Sequence, residues 1–149
     1  MNKTQLKDVG SVVFWTDYVK STYRRNDGEV TYSQSNTPVQ DYCARTIGMC
    51  RRESGWIVSV AMSKDAPSQK TEKSGRGVVN HRIKALIDNK LTVEPEDKGI
   101  TWVPYAWKEL LINDKMAYSN IYGPLDSTSL KMAINLLNGT SNEDRGRSN

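Results

Sequence analysis

The chain has 149 residues, of which 37% are hydrophobic and 26% are charged, and its formal net charge is +4. This length suits one domain that buries a core without disulfide or metal staples. The apolar content excludes a disordered chain, and no apolar run is long enough to predict a membrane-spanning helix or a signal peptide. We therefore expect one globular domain in the cytoplasm, with no membrane partner.

The N-terminal third predicts a β-hairpin. Residues 1–10 are polar and are expected to be flexible. An apolar run rich in β-branched and aromatic residues, from Val12 to Val19, predicts a strand. The triplet Asn26-Asp27-Gly28 follows between alternating flanks, and such residues favour the turn of a hairpin.

Residues 38–52 predict the first of three main helices. Thr37 is a suitable N-cap, and Pro38 is tolerated at the first helical position. The apolar residues recur at steps of three and four: Val39, Tyr42, Cys43, Ile47 and Cys50. In a helix the Cα atoms of Cys43 and Cys50 would lie roughly 10 Å apart, too far for a disulfide. We expect both to stay reduced, as in a cytoplasmic protein.

The middle of the chain predicts a strand, a loop and a second helix. Residues 56–62 form a short, apolar, β-branched run that indicates a central strand. Residues 64–77 lack apolar periodicity and are rich in charge and helix breakers, so we expect a mobile loop. Residues 78–90 predict the second main helix. Its buried stripe is formed by Val79, Ile83, Leu86 and Ile87.

The C-terminal part predicts two strands, two helices and a tail. Strands are expected at 91–94 and 100–103, around a turn, and a short helix at 106–112. The third main helix is expected at 127–138, capped by Asp126 or Ser127. Residues 140–149 contain no apolar residue and are expected to be a disordered tail.

These elements predict an α+β fold with a mostly antiparallel sheet, in a single domain over residues 11–139. The helix at 78–90 and the two strands after it resemble the recognition helix and wing of a winged-helix domain. One interpretation is therefore a winged-helix-like unit within residues 38–104. The other is an ordinary helix–hairpin unit.

The positive charge is concentrated in one third of the sequence. Residues 40–90 hold ten Lys and Arg against five Asp and Glu, which gives +5, and the rest holds 11 against 12, which gives −1. Clustered cations favour binding to a phosphate backbone. This predicts a non-enzymatic nucleic-acid-binding protein, and a recognition helix favours DNA over RNA. The candidate contact residues are Arg45, Arg52, Lys70, Lys73, Arg76, Asn80, His81, Arg82, Lys84 and Lys98.

Two other function classes stay open. The closely spaced aromatic residues Trp102, Tyr105 and Trp107 suit a small inhibitor or adaptor that binds a protein partner. The triplet Glu96-Asp97-Lys98, with Asp88 upstream, matches part of a metal-dependent nuclease site but lies in a turn-like segment. The sequence has one histidine and neither a phosphate-binding loop nor a nucleophile elbow, so no catalytic residue, metal or cofactor is assigned.

Overall fold

The chain forms an α+β fold built on an antiparallel sheet. The computed structural model describes residues 1–52, 55–63, 69–88, 108–110, 123 and 125–147. In chain order the elements are β1 (Asn2–Leu6), β2 (Gly10–Arg24), β3 (Glu29–Ser35), β4 (Cys43–Arg52), β5 (Gly55–Met62), α1 (Gln69–Ile87), β6 (Lys108–Leu110) and α2 (Ser127–Arg147). Two helices occur in these ranges instead of three, and the winged-helix arrangement is not confirmed, because its first helix is replaced by β4.

Strand β2 organises the sheet, since three other strands pair with it. On one side, β4 pairs with Val12–Val19. On the other side, β1 pairs with the first part of β2 and β3 with the second part. Beyond β4 the sheet continues with β5 and then β6, and every described strand pairing is antiparallel. The predicted hairpin is confirmed as β2 and β3, whose turn is closed by a 2.9 Å hydrogen bond from the Gly28 amide to the Arg24 carbonyl.

The two helices cover opposite faces of the sheet. Alternate residues of each central strand belong to different cores, because successive side chains point to opposite faces. The α1 face includes Val12, Phe14, Ile57, Val79 and Ile83. The α2 face includes Val13, Trp15, Ile47, Ala133 and Leu137. The central strands are therefore buried on both sides.

The helix predicted at 38–52 is wrong, because Cys43–Arg52 is strand β4. Every residue from Ala44 to Cys50 is buried. A strand covered on both faces loses the two-residue alternation that marks a half-exposed strand. The apolar residues that remain, at steps of three and four, then resemble the buried face of a helix. Cys43 and Cys50 are separated by roughly 23 Å of extended strand, and no disulfide joins them.

The structure describes a regular element at each end of the chain. Residues 1–10 include strand β1, which pairs with β2 through backbone hydrogen bonds that need no apolar side chain. Helix α2 begins as expected, with the Asp126 carboxylate accepting a 3.1 Å hydrogen bond from the Ser129 amide. It continues to Arg147, into the tail expected to be disordered, because each added residue contributes a hydrogen bond once a helix is nucleated.

Two predictions in the middle of the chain also need correction. Helix α1 begins at Gln69, inside the expected loop, since Gln, Lys and Glu are good helix formers and extend the packed turns that follow. Residues 108–110, expected in a short helix, pair instead with Trp56–Val58 and so cover the edge of β5. The predicted strands at 91–94 and 100–103 lie outside the described residues.

Helix α1 packs tightly against the sheet at Gly48. A Cβ atom built on Gly48 overlaps Cγ1 of Val79 and lies 3.3 Å from Cδ1 of Ile83. Because Gly48 has no side chain, the side chains of Val79 and Ile83 of α1 can pack directly over β4.

We expect Gly48→Ala to lower the free energy of unfolding by about 1–3 kcal/mol, because the added methyl group overpacks this contact. The measurement is urea denaturation followed by circular dichroism. Gly77→Ala is the matched control, since a Cβ atom there meets nothing within 4 Å. That change in an open helical position should instead add about 0.5–1 kcal/mol. Equal effects of the two variants would show that α1 does not approach β4 this closely.

Candidate nucleic-acid interface

Helix α1 holds a charge excess equal to that of the whole chain. Gln69–Ile87 contains five Lys and Arg and one Glu, which gives +4, and the chain as a whole also carries +4. The five cations are Lys70, Lys73, Arg76, Arg82 and Lys84. All other residues therefore sum to zero, and the positive potential is concentrated on this element.

The packing of α1 decides which of its residues face solvent. Val78, Val79 and Ile83 are buried against the sheet. Arg76 and Lys84 are exposed and lie eight positions apart, just over two turns, on the side away from the sheet. Asn80 lies midway between them and is half-buried, and its Oδ1 atom has no hydrogen-bond partner among the described residues. We call the row Arg76, Asn80 and Lys84 the outer face of α1.

Arg82 lies on the inner side of the same helix. Its side chain is buried, and Nη1 donates a hydrogen bond to the backbone carbonyl of Val60 in β5. This bond satisfies a charged donor inside the protein and ties α1 to the sheet. Arg82 is therefore not placed to contact a nucleic acid.

Arg45 is buried as well, in an ion pair at the centre of the sheet. Asp17 of β2 and Arg45 of β4 are register partners, so their side chains meet on the α2 face. Nε and Nη2 of Arg45 donate to Oδ1 and Oδ2 of Asp17 at 2.7 and 2.5 Å, and both side chains are at most 1% exposed. Nη1 of Arg45 donates to the carbonyl of Gly123 at 3.2 Å, and Nε2 of Gln34 donates to Oδ2 of Asp17 at 3.3 Å.

The other predicted contact residues are divided between α1 and elsewhere. Lys70 and Lys73 belong to the first turns of α1, and His81 is half-buried near its middle. Arg52 is half-buried at the end of β4, and Lys98 lies outside the described residues. Helix α1 thus holds seven of the ten predicted residues, of which Arg82 is buried: Lys70, Lys73, Arg76, Asn80, His81, Arg82 and Lys84.

The +5 excess of residues 40–90 does not form one surface. Asp17 compensates Arg45 from outside that segment. Arg51 lies over the Trp56 ring at 5.7 Å and donates to the Asn138 side chain of α2. Of the cations of this segment whose exposure the structure describes, Arg76 and Lys84 lie together on the exposed side of α1.

A second exposed feature, which we call the ribbon, contains none of the predicted contact residues. It consists of Lys20–Arg24 of β2 paired with Glu29–Ser33 of β3, beyond the point where β4 stops pairing with β2. Its large exposed side chains include Tyr23, Val30 and Tyr32. The hairpin itself was predicted, and its alternation would have placed these three residues on one face. The sequence could not show that β2 extends beyond its pairing with β4, because residues 38–52 were interpreted as a helix.

Comparisons with protein-family models, with curated proteins and with solved structures found no match for this chain. Within the described residues, no group of three or more His, Cys, Asp and Glu side chains is arranged to hold a metal ion. The described helices include none that is both long enough and apolar enough to cross a membrane.

We expect Arg45→Met to lower the free energy of unfolding by about 3–5 kcal/mol, because it leaves the Asp17 carboxylate buried without its cation. Adding Asp17→Leu should recover much of that loss, since neither charge then remains in the interior. Chemical denaturation of the two single variants and the double variant measures the coupling. Additive losses in the double variant would contradict a direct interaction between the two side chains.

Proposed function

We propose that the protein is a non-enzymatic nucleic-acid-binding protein with a regulatory or accessory role, and that it binds through the outer face of α1. The observation that carries this proposal is the pair of exposed cations Arg76 and Lys84 on the outer face of α1, a helix in which five Lys and Arg outnumber one Glu. Neutralising phosphates with such a surface releases counterions, which supplies most of the affinity in nonspecific binding.

The arrangement of α1 supports contacts with the phosphate backbone. Arg76 and Lys84 are exposed cations suited to phosphate oxygens. Asn80, between them, has a buried Oδ1 atom, so its amide is not placed to read a base edge. Because an α-helix enters the major groove of B-DNA but not the narrow groove of A-form RNA, we propose DNA as the partner.

The two other function classes have less support. Trp102, Tyr105 and Trp107, the basis of the protein-binding interpretation, lie outside the described residues. Glu96–Lys98, the basis of the nuclease interpretation, does so as well. Asp88, just past the end of α1, is exposed. For these two classes, the described residues contain only Asp88, whereas the described part of α1 contains several of the predicted contact residues.

Arg76→Ala/Lys84→Ala should weaken binding to duplex DNA and lower the slope of log K against log salt by about 2, one unit for each lost phosphate contact. The measurement is fluorescence anisotropy with a labelled blunt duplex across a salt series. Both side chains are exposed, so the thermal unfolding midpoint should stay close to that of the wild type.

Lys3→Ala/Lys131→Ala is the matched control, because it removes the same charge from the α2 side of the sheet. Both lysines are exposed and line a groove of about 480 Å³ beside Met132 and Leu136. This variant should keep the wild-type salt slope. Absence of binding by the wild type at low salt, or equal losses in the two double variants, would overturn the proposal.

A further inference from the structure

Strand β1 lies at an edge of the sheet. It pairs with β2 along Asn2–Leu6, and none of the described strands pairs with its other side. Asn2–Gln5 are all exposed. The outer side of an edge strand presents backbone N–H and C=O groups that can pair with another extended chain. The sheet can therefore accept one more strand beside β1.

A groove lies beside this edge, on the face of the sheet that α2 covers. Lys3 is the register partner of Val13, whose side chain belongs to the α2 core, so Lys3 points to the same face. The groove, of about 480 Å³, is bounded by Lys3 of β1 and by Lys131, Met132 and Leu136 of α2. A strand added to β1 would direct every second side chain towards this groove.

The residues that line the groove combine apolar surface with positive charge. Met132 is 48% exposed and Leu136 is 37% exposed. Lys3 and Lys131 are exposed beside them, and no Asp or Glu is among the described residues of the lining. Such a groove is complementary to a segment that carries apolar and acidic side chains on one face.

The lining of the groove decides between the partners that could occupy this edge. A second copy that paired antiparallel through β1 would present its own Lys3 and Lys131 on the same face, and like charges brought together at an interface are unfavourable. A nucleic acid offers phosphates to the lysines but no aliphatic side chain to cover Met132 and Leu136. An acidic strand satisfies both requirements, because alternate side chains on one face can be acidic and apolar.

We infer that β1 and α2 together bind an extended acidic segment of a partner protein, which adds a strand to the sheet. Backbone hydrogen bonds to β1 supply affinity, and the groove selects the side chains that face it. Acidic side chains lie near Lys3 and Lys131, and apolar ones cover Met132 and Leu136. This inference goes beyond the proposed function, because α1 covers the opposite face of the sheet and the two surfaces are separate.

The test uses fluorescence anisotropy with the full chain and a labelled peptide, TLTETLTET, whose leucines and glutamates share one face of a strand. This peptide should bind with saturation. The same peptide with lysine in place of each glutamate should bind at least about tenfold more weakly, because like charges then meet at the groove. Absence of saturable binding by the glutamate peptide, or equal binding of the two peptides, would overturn the inference.

N-methylation of the glutamate peptide tests strand addition itself. In a strand the N–H groups of alternate residues point to opposite edges, so only one of the two alternate sets faces β1. Methylating one set should abolish binding, and methylating the other set should leave it close to that of the unmodified peptide. A docked helix would lose binding with either set, because its own backbone hydrogen bonds use the amides of both. Equal effects of the two sets would therefore contradict an added strand.

Lys131→Glu should weaken binding of the glutamate peptide at least about fivefold, since it replaces a cation of the groove by an anion. Lys20→Glu is the matched control, because Lys20 is exposed on the α1 face of β2 and lies outside the groove. This control should bind the peptide as the wild type does, and both variants should keep the wild-type circular dichroism spectrum. Equal losses in the two variants would rule out the groove as the site. The DNA measurements use a different partner and different variants, so the proposed function and this inference fail separately.

Discussion

The structure depends on one constraint, which is that a helix covers each face of the sheet. Val13 and Trp15 of β2 pack towards α2, while Val12 and Phe14 pack towards α1. Water therefore does not reach the central strands, and any polar side chain on them needs a partner within the protein. Asp17 and Arg45 are such partners for each other, and the carbonyl of Gly123 accepts a further hydrogen bond from Arg45.

The same constraint divides the cations into two groups with different roles. Arg45 and Arg82 fall on positions that face the sheet interior, so their guanidinium groups bind a carboxylate and a backbone carbonyl. Their charges hold elements together and are not available to a partner. Arg76 and Lys84 fall on the opposite side of α1, where nothing in the described structure covers them. A count of Lys and Arg along the sequence does not separate these groups, because the separation arises from the face on which each helix packs.

Several elements could be predicted because their signals are local. The Asn26-Asp27-Gly28 turn and the Asp126 cap depend on residues only a few positions apart. Strand β4 could not be predicted, since its burial comes from two helices distant in sequence. The register of β2 and β4, which places Asp17 opposite the buried Arg45, could not be predicted either, because 38–52 was interpreted as a helix. Candidate residues on α1 were found from charge alone, whereas the ribbon depends on how far β2 runs past β4.

The buried ion pair also connects the core to the ribbon. Oδ2 of Asp17 accepts a hydrogen bond from Gln34, which lies in β3 two residues from Tyr32 and on the same face. Gly123, whose carbonyl accepts from Arg45, packs against Tyr32 itself. The base of the ribbon is thus held by the groups that satisfy the buried charges. A protruding two-stranded segment would otherwise be marginally stable, and this connection explains how its exposed tyrosines keep a defined position.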